Sequence, residues 1–269
     1  MDILREIAMR TKERIEERKR ILPLEQIMSS IPGQGFPFEK ALKHDDIALI
    51  CEIKKASPSK GIISKDFPYM EIAKEYESAG AAAISVLTEP FYFQGHDRYL
   101  EEIANAVKIP LLRKDFTVDS YMIYEAKLLG ASAVLLICAI LDRDTLKEYI
   151  SIAHSLGLSA LVEAHTEHEV EMALYAGARI IGVNNRNLKT FEVDITLSER
   201  LRKLVPPEII FVSESGITQQ SDIVKLREIG ADAALIGESL MKSGDIAKTI
   251  AGLTNKNGES NLKITTSIS

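Results

Sequence analysis

Residues 131–165 read ASAVLLICAILDRDTLKEYISIAHSLGLSALVEAH. The first ten residues form a nearly unbroken apolar run with several branched side chains. Such a run suits a strand buried on both faces, as parallel sheets require. It gives way to RDTLKEYISIAHSLG, where apolar residues fall at helical spacing. Asp142 and Asp144 stand where a helix begins and read as helix-start acids. Leu156-Gly157 closes the helix, and LSALVEAH opens a second apolar run. Strand, helix, strand at this spacing predicts a parallel βαβ unit.

The same rhythm extends in both directions. Strand-like runs occur at IALICEI, AAAISVLTE, IPLLRKDF, ASAVLLICAI, LSALVEAH, ARIIGVNNR, EIIFVSESG and DAALIGESL. Between them lie segments of helical period such as YMEIAKEYESAG and QSDIVKLREIG, several ending in Gly followed by Ala. Eight such units in a chain of 269 residues predict an α/β fold of the (β/α)8 TIM-barrel type. A doubly wound open sheet is the alternative. Ahead of the first strand, Ile3, Ile7, Ile15, Ile21 and Leu24 are interleaved with charges. They predict one or two amphipathic helices that close at SSIPGQG and pack over the barrel mouth. Residues 1–254 are thus expected to form a single barrel domain that includes an N-terminal helical extension, 1–46. The polar, aperiodic tail 255–269 is expected to be disordered.

Composition sets further bounds. The chain is 46% hydrophobic and 27% charged, with a formal net charge of −6, an ordinary globular balance. Mild acidity, with no basic run interleaved with aromatics, argues against a nucleic-acid partner. The longest mostly apolar run, ASAVLLICAIL, falls well short of the ~18 residues that span a bilayer. No membrane role is expected. The N-terminal stretch is charged throughout and has no apolar export core. Cys51 and Cys138 sit in strand-like runs and read as buried, reduced thiols. A cytoplasmic protein follows, monomeric or at most a weak homodimer.

In a barrel of this kind the chemistry sits at the C-terminal ends of the strands. The first strand runs into EIKKASPSKG, residues 52–61. Side chains alternate along a strand, so Glu52 and Lys54 share a face while Lys55 points away, towards a helix–barrel ion pair. Buried charge is costly unless it is paired or used. Other strand ends carry charge in the same phase. Leu112, Lys114 and Phe116 align, as do Leu161, Glu163 and His165, and Asn184, Arg186 and Leu188. Any one of these could be a scattered ion pair. Two acids, two lysines, an arginine and an asparagine together predict acid–base chemistry. After the last two strands, SESGI and ALIGESL place glycines at strand–helix turns, where backbone N–H groups bind phosphate in many barrels. A small phosphorylated substrate follows.

EIKKASPSKG, TEPFYFQG, LLRKDF, LVEAH, GVNNRNL, SESGI and IGESLM, in this order, resemble the indole-3-glycerol phosphate synthase family. The resemblance runs from the N-terminal extension to the eighth unit. It implies a carboxy-lyase of tryptophan biosynthesis acting on 1-(2-carboxyphenylamino)-1-deoxyribulose 5-phosphate. It implies ring closure, decarboxylation and dehydration without a metal or organic cofactor. By the resemblance, Lys114 is the general acid on the ribulose carbonyl, and Glu163 assists proton transfer in dehydration. Lys54 contacts the substrate's anionic groups, phosphate included, and serves as a second acid. Glu52 and Glu214 orient the lysines and sugar hydroxyls. Ser57, Asn184 and Arg186 surround the carboxylate and sugar, while Phe116 and Leu188 contact the anthranilate ring. The backbone at Ser215, Gly216, Gly237 and Glu238 binds phosphate; at Glu238 only the N–H need face it, so an outward side chain does no harm. Acid chemistry near neutral pH further predicts that crowding and burial lower a lysine pKa.

Two other readings compete. A sister phosphate-sugar isomerase would need a paired Asp/Cys or Asp/Asp set, or metal-binding histidines, at the strand ends. A non-catalytic ligand-binding barrel would keep the phosphate turns and lose Lys54, Lys114 or Glu163. His165 and His168 straddle a strand end and a helix start and read as surface or capping residues. His96, within QGHD, has no assigned role.

Overall fold

The computed structural model describes residues 3–28, 35–44, 46–187 and 190–254. Eight strands form a closed parallel barrel: β1 (Ala48–Ile53), β2 (Ala83–Leu87), β3 (Leu111–Lys114), β4 (Ala133–Ile137), β5 (Ser159–Ala164), β6 (Ile180–Asn184), β7 (Ile210–Glu214) and β8 (Ala233–Ile236). Each pairs with its sequence neighbours, and β1 closes the ring by pairing with β8, Ala48 opposite Ala233. The fold is the expected (β/α)8 barrel, not an open sheet. The tail 255–269 and Leu188 lie outside the described residues.

The period-2 pattern of each strand separates two cores. Inward positions, Ile50, Leu112, Leu135, Leu161, Ile180, Val212 and Leu235 among them, fill the barrel. Outward positions such as Cys51, Val134, Val162, Ile181 and Phe211 pack against the surrounding helices. Both cysteines are free and buried, and burial pushes the Cys51 thiol up to about 12.

The helix ends repeat one device. Gly80, Gly130, Gly157, Gly177 and Gly230 all adopt positive φ. In each case the next residue's N–H reaches back to a carbonyl five residues earlier, as Ala81 does to Tyr76 at 3.0 Å and Ala131 to Ala126 at 2.9 Å. This is a Schellman ending, which only glycine adopts without strain. It turns the chain sharply into the next strand.

The N-terminal segment covers both ends of the barrel. Helix α1 (Ile3–Ile21) buries Leu4, Ile7, Thr11 and Ile15 along one stripe. Ile3, Leu4 and Ile7 line the cavity at the mouth. Ion pairs fix the rest of α1: Arg14 to Asp115 at 2.8 Å, Arg18 to Glu125 at 2.8 Å and Lys19 to Asp119 at 2.7 Å. Two short helices follow, α2 (Leu24–Met28) and α3 (Pro37–Leu42). Helix α3 plugs the opposite end with Phe38 and Leu42. Its Glu39 pairs with Arg179 at 3.0 Å and accepts from Ser159, at the starts of β6 and β5.

Candidate active site

Glu52 is the last inward residue of β1, buried, and accepts a hydrogen bond from Lys54 just past the strand end. Lys114 ends β3. Its Nζ lies 3.4 Å from Glu163 Oε2 on β5 and 3.5 Å from Glu214 Oε2 on β7. Asn184, at the end of β6, donates to the same Glu163 oxygen at 3.3 Å. Glu52, Lys114, Glu163, Asn184 and Glu214 occupy inward strand positions, so the barrel's alternation alone converges them on one point.

Two glycines make that convergence possible. A Cβ on Gly182 would collide with the Glu214 carboxylate, and one on Gly237 with that of Glu52. Gly182 is a residue that motif reading missed. Its signal is a glycine inside the apolar run RIIGVN, where a barrel layer must leave room.

The electrostatics correct one expectation. Burial alone would pull the Lys114 pKa down, but Glu214, Glu163 and Glu52 outweigh it and hold the ammonium above the ordinary lysine range. The lysine is ringed by carboxylates rather than crowded by a second cation. Burial likewise opposes a charged Glu52, but Lys54, Lys114 and Arg186 keep its carboxyl below the usual range. Glu214 differs. Its two oxygens are buried without a hydrogen-bond partner. Burial, reinforced by Glu163 and Glu52 and only partly offset by Lys114, pushes its carboxyl up to about 8. The acid poised near neutrality is a glutamate.

These groups line one cavity of about 560 Å³, together with Ser57, Phe116, Arg186, Ser215, Gly216, Gly237 and Glu238. Phe116 packs at 6.2 Å from Phe93, which also lines the cavity, and the two rings provide an aromatic wall. The buried Glu89 carboxylate shapes the loop carrying Phe93 by accepting N–H bonds from Phe91, Tyr92 and Phe93 at 2.7–3.0 Å. Ser57 sits in a short antiparallel hairpin, Ala56–Ser57 with Gly61–Ile62. Arg186 Nη1 donates to the Phe191 carbonyl at 3.2 Å, and its N–H to Asn184 Oδ1 at 3.1 Å.

The turn after β7 is unusual. Ser215 and Gly216 both adopt positive φ, 66° and 84°. Asn185, buried beside Asn184 but facing out of the barrel, holds this turn through Ser215 O and Ser213 Oγ, each at 3.0 Å. The pair "NN" thus divides its work, one residue in the site and one supporting it. Motif reading caught only the first.

Other expectations fare differently. Glu238 does not turn outward, since its carboxylate lines the cavity and pairs with cations. Among the described residues Lys55 has no ion-pair partner, and its carbonyl instead accepts the N–H groups of Ile63 and Ser64. His96 caps the helix Asp97–Ala104, accepting from Arg98 N at 3.0 Å. Asp142 caps Arg143–Ser155 as read. His165 lies between Glu163 and Glu169 at 3.8 and 3.7 Å, while His168 is exposed on a helix. Among the described residues no group of three or more His, Cys, Asp or Glu side chains is arranged to hold a metal ion. No helix among them is long and apolar enough to cross a membrane.

The family model described as indole-3-glycerol phosphate synthase matches residues 4–253. The chain belongs to the indole-3-glycerol phosphate synthase family. Relatives bearing that name include one from Ruminiclostridium cellulolyticum, 61% identical over 93% of this chain and 98% of the relative. Another, from Endomicrobium trichonymphae, is 56% identical over 93% of this chain and 99% of the relative. Among solved structures, 3-hexulose-6-phosphate synthase from Salmonella typhimurium superposes with a TM-score of 0.64 at 15% identity, covering 77% of this chain and 96% of that one. A chain of the tryptophan synthase complex from Pyrococcus furiosus gives 0.58 at 14% identity, covering 77% and 97%. At such identities these two share the barrel fold alone. Indole-3-glycerol phosphate synthases are carboxy-lyases of tryptophan biosynthesis acting on a small phosphorylated substrate.

Proposed function

We propose that the cluster around Lys114 performs the family's reaction, converting 1-(2-carboxyphenylamino)-1-deoxyribulose 5-phosphate to indole-3-glycerol phosphate, carbon dioxide and water. One observation carries the assignment of roles. A lysine held charged by Glu163, with Glu214 beside it, opens into a cavity that also holds an aromatic wall and two glycine turns.

The chemistry follows from that arrangement. Phe116 and Phe93 take the anthranilate ring, and Arg186 with Ser57 its carboxylate and the sugar. Lys54 and the backbone at Ser215, Gly216, Gly237 and Glu238 take the phosphate. The ring carbon that bears the carboxylate attacks the ribulose carbonyl carbon, forming the new bond. Lys114 donates to the carbonyl oxygen and stabilises the alkoxide as it forms. An alkoxide is basic enough to take a proton even from a lysine held above its usual range. Loss of carbon dioxide returns its electron pair to the ring. The new hydroxyl then leaves as water while the ring methylene carbon beside the nitrogen gives up a proton, with Glu163 assisting transfer. Lys54 is placed to serve as the second acid. Glu214 carries a proton at neutral pH, and with Glu52 it keeps the lysines oriented. Asn184 fixes the Glu163 oxygen that faces Lys114. A non-catalytic barrel would have lost part of this set, and an isomerase would need different acids at these strand ends.

We also take residues 1–254 as one folding unit, supported by the ion pairs that fasten α1 to the barrel. The free, buried cysteines support a cytoplasmic protein. A monomer would elute at the size of one 29.8 kDa chain.

The test of the roles is kinetic. Lys114→Ala is expected to lower kcat by at least about a hundredfold, the usual scale of a lost acid, with substrate still bound. Near-normal turnover in that variant would overturn the assignment.

A further inference from the structure

The backbone N–H of Glu238 suffices for a phosphate turn, yet its side chain stays in the site. The carboxylate, 28% exposed, gathers three cations from three segments. Lys242 Nζ, one helical turn on, lies at 2.7 Å, Arg186 Nη2 after β6 at 3.5 Å, and Lys60 Nζ on the hairpin after β1 at 3.8 Å. Burial opposes the charged carboxylate, and these cations outweigh it, holding its pKa below the ordinary value.

An anion here works against a second anion. A phosphate settling at Gly216 and Gly237 would meet like charge close by, and it would want the same cations. The three cations offer what a phosphate seeks, and an internal carboxylate already holds them. Arg186 also lines the cavity and is near enough to Glu52 to help keep that carboxyl charged.

We propose that Glu238 is a specificity-determining residue whose carboxylate stands in for phosphate before substrate binds and yields Lys60, Arg186 and Lys242 to the phosphoryl group of the full substrate. This rests on reading the Gly216 and Gly237 turns as the phosphate site. The exchange discriminates by size. A small phosphate must displace the carboxylate with its own contacts alone. A substrate whose aromatic end also packs on Phe116 and Phe93 has further binding energy to drive the exchange. The Lys60 contact also brings the hairpin after β1 against the β8 turn.

The test compares Glu238→Gln with the parent protein, using inorganic phosphate as the probe. Glutamine keeps the shape and the backbone N–H and removes the charge. Inorganic phosphate should bind about fivefold more tightly or better to the variant at low salt, the scale of removing one like charge at contact distance in a solvated site. The gain should shrink as ionic strength rises. The shift would be read by calorimetry and as the competitive inhibition constant against the substrate. Equal or weaker phosphate binding in the variant would overturn the proposal, as would absence of phosphate binding in both proteins. Calorimetry needs no turnover. A parent protein that binds phosphate but does not convert the substrate would refute the catalytic reading alone, leaving the comparison to judge Glu238.

Discussion

Arg14→Ala should destabilise this protein far more than an ordinary loss of a helix-surface charge. The Asp115 side chain is fully buried, and Arg14 is its nearest cation, at 2.8 Å with 19% of its own side chain exposed. Without Arg14 the carboxylate retains the Thr88 hydroxyl at 2.7 Å and the Phe116 N–H at 2.8 Å. Arg113 stands 3.9 Å away but is already bonded to Asp97 at 2.7 Å and Glu125 at 2.9 Å. Breaking a buried pair by removing one partner costs about 3–5 kcal/mol. The remaining donors and the part-exposed arginine bring this to about 2–3 kcal/mol. For a chain of this size that is a fall in Tm of roughly 5–10 °C. Lys19→Ala is the control. It removes the Lys19–Asp119 pair on the same helix, where both side chains are a third or so exposed, 35% and 28%. It should cost about 0–1 kcal/mol. Thermal melts followed by circular dichroism would measure both.

The effect also has a pH signature. Burial works against ionised Asp115, yet Arg14 and Arg113 prevail and its pKa is lowered. The pair therefore stabilises the fold above the unfolded aspartate pKa of ~3.9 and fades as pH falls through the lower folded value. The gap between parent and Arg14→Ala should close in that acid range. Equal losses for Arg14→Ala and Lys19→Ala at neutral pH would show that Asp115 does not depend on α1. Because Asp115 follows Lys114 and bonds the next backbone N–H, kcat should fall with stability in Arg14→Ala.

Three further outcomes can be measured. Gly237→Ala drives a Cβ into the Glu52 side chain, whose own Cβ lies 3.0 Å away; displacing Glu52 from Lys54 should cut kcat/KM by about a hundredfold, the scale of a 1 Å misplacement, and retained activity would show that the Glu52–Lys54 pair is dispensable. Glu214, at about 8, is protonated at neutral pH and ionises above it; kcat/KM should fall above pH 8, Glu214→Gln should abolish that limb, and a limb surviving in the variant belongs to another group. Burial, with Arg179 nearby, lowers the His154 pKa from 6.5 to about 4. As pH drops below 6.5 the unfolded chain takes a proton that the folded chain refuses. Stability should therefore fall between pH 6.5 and about 4, by at most ~3 kcal/mol and by about 1–2 kcal/mol after allowing for the ring's partial exposure. His154→Gln should flatten that part of the stability profile, and an unchanged profile would assign the acid loss elsewhere.

The barrel was legible because its signal is repeated. Eight apolar runs with glycine-ended helices between them leave few topologies, and inward alternation places Glu52, Lys114, Glu163, Asn184 and Glu214 on one ring without any tertiary information. What stayed hidden depends on pairs distant in sequence. Gly182 matters only because Glu214, on the neighbouring strand, needs its space. Arg14 reads as one more charge on an amphipathic helix until Asp115, 101 residues away, is seen to lie beneath it. The protonation states were misjudged for the same reason. Local sequence shows Lys54 near Lys114 in role, but only the folded barrel sets three carboxylates around Lys114.

The most direct measurement mixes the purified protein with 1-(2-carboxyphenylamino)-1-deoxyribulose 5-phosphate in the presence of a chelator and follows indole fluorescence. A saturable rise in the parent protein, absent in Lys114→Ala at the same concentration, is the expected result. Tight binding of the substrate with no rise in the parent, or an equal rise in both proteins, would contradict the role given to this lysine at the barrel mouth.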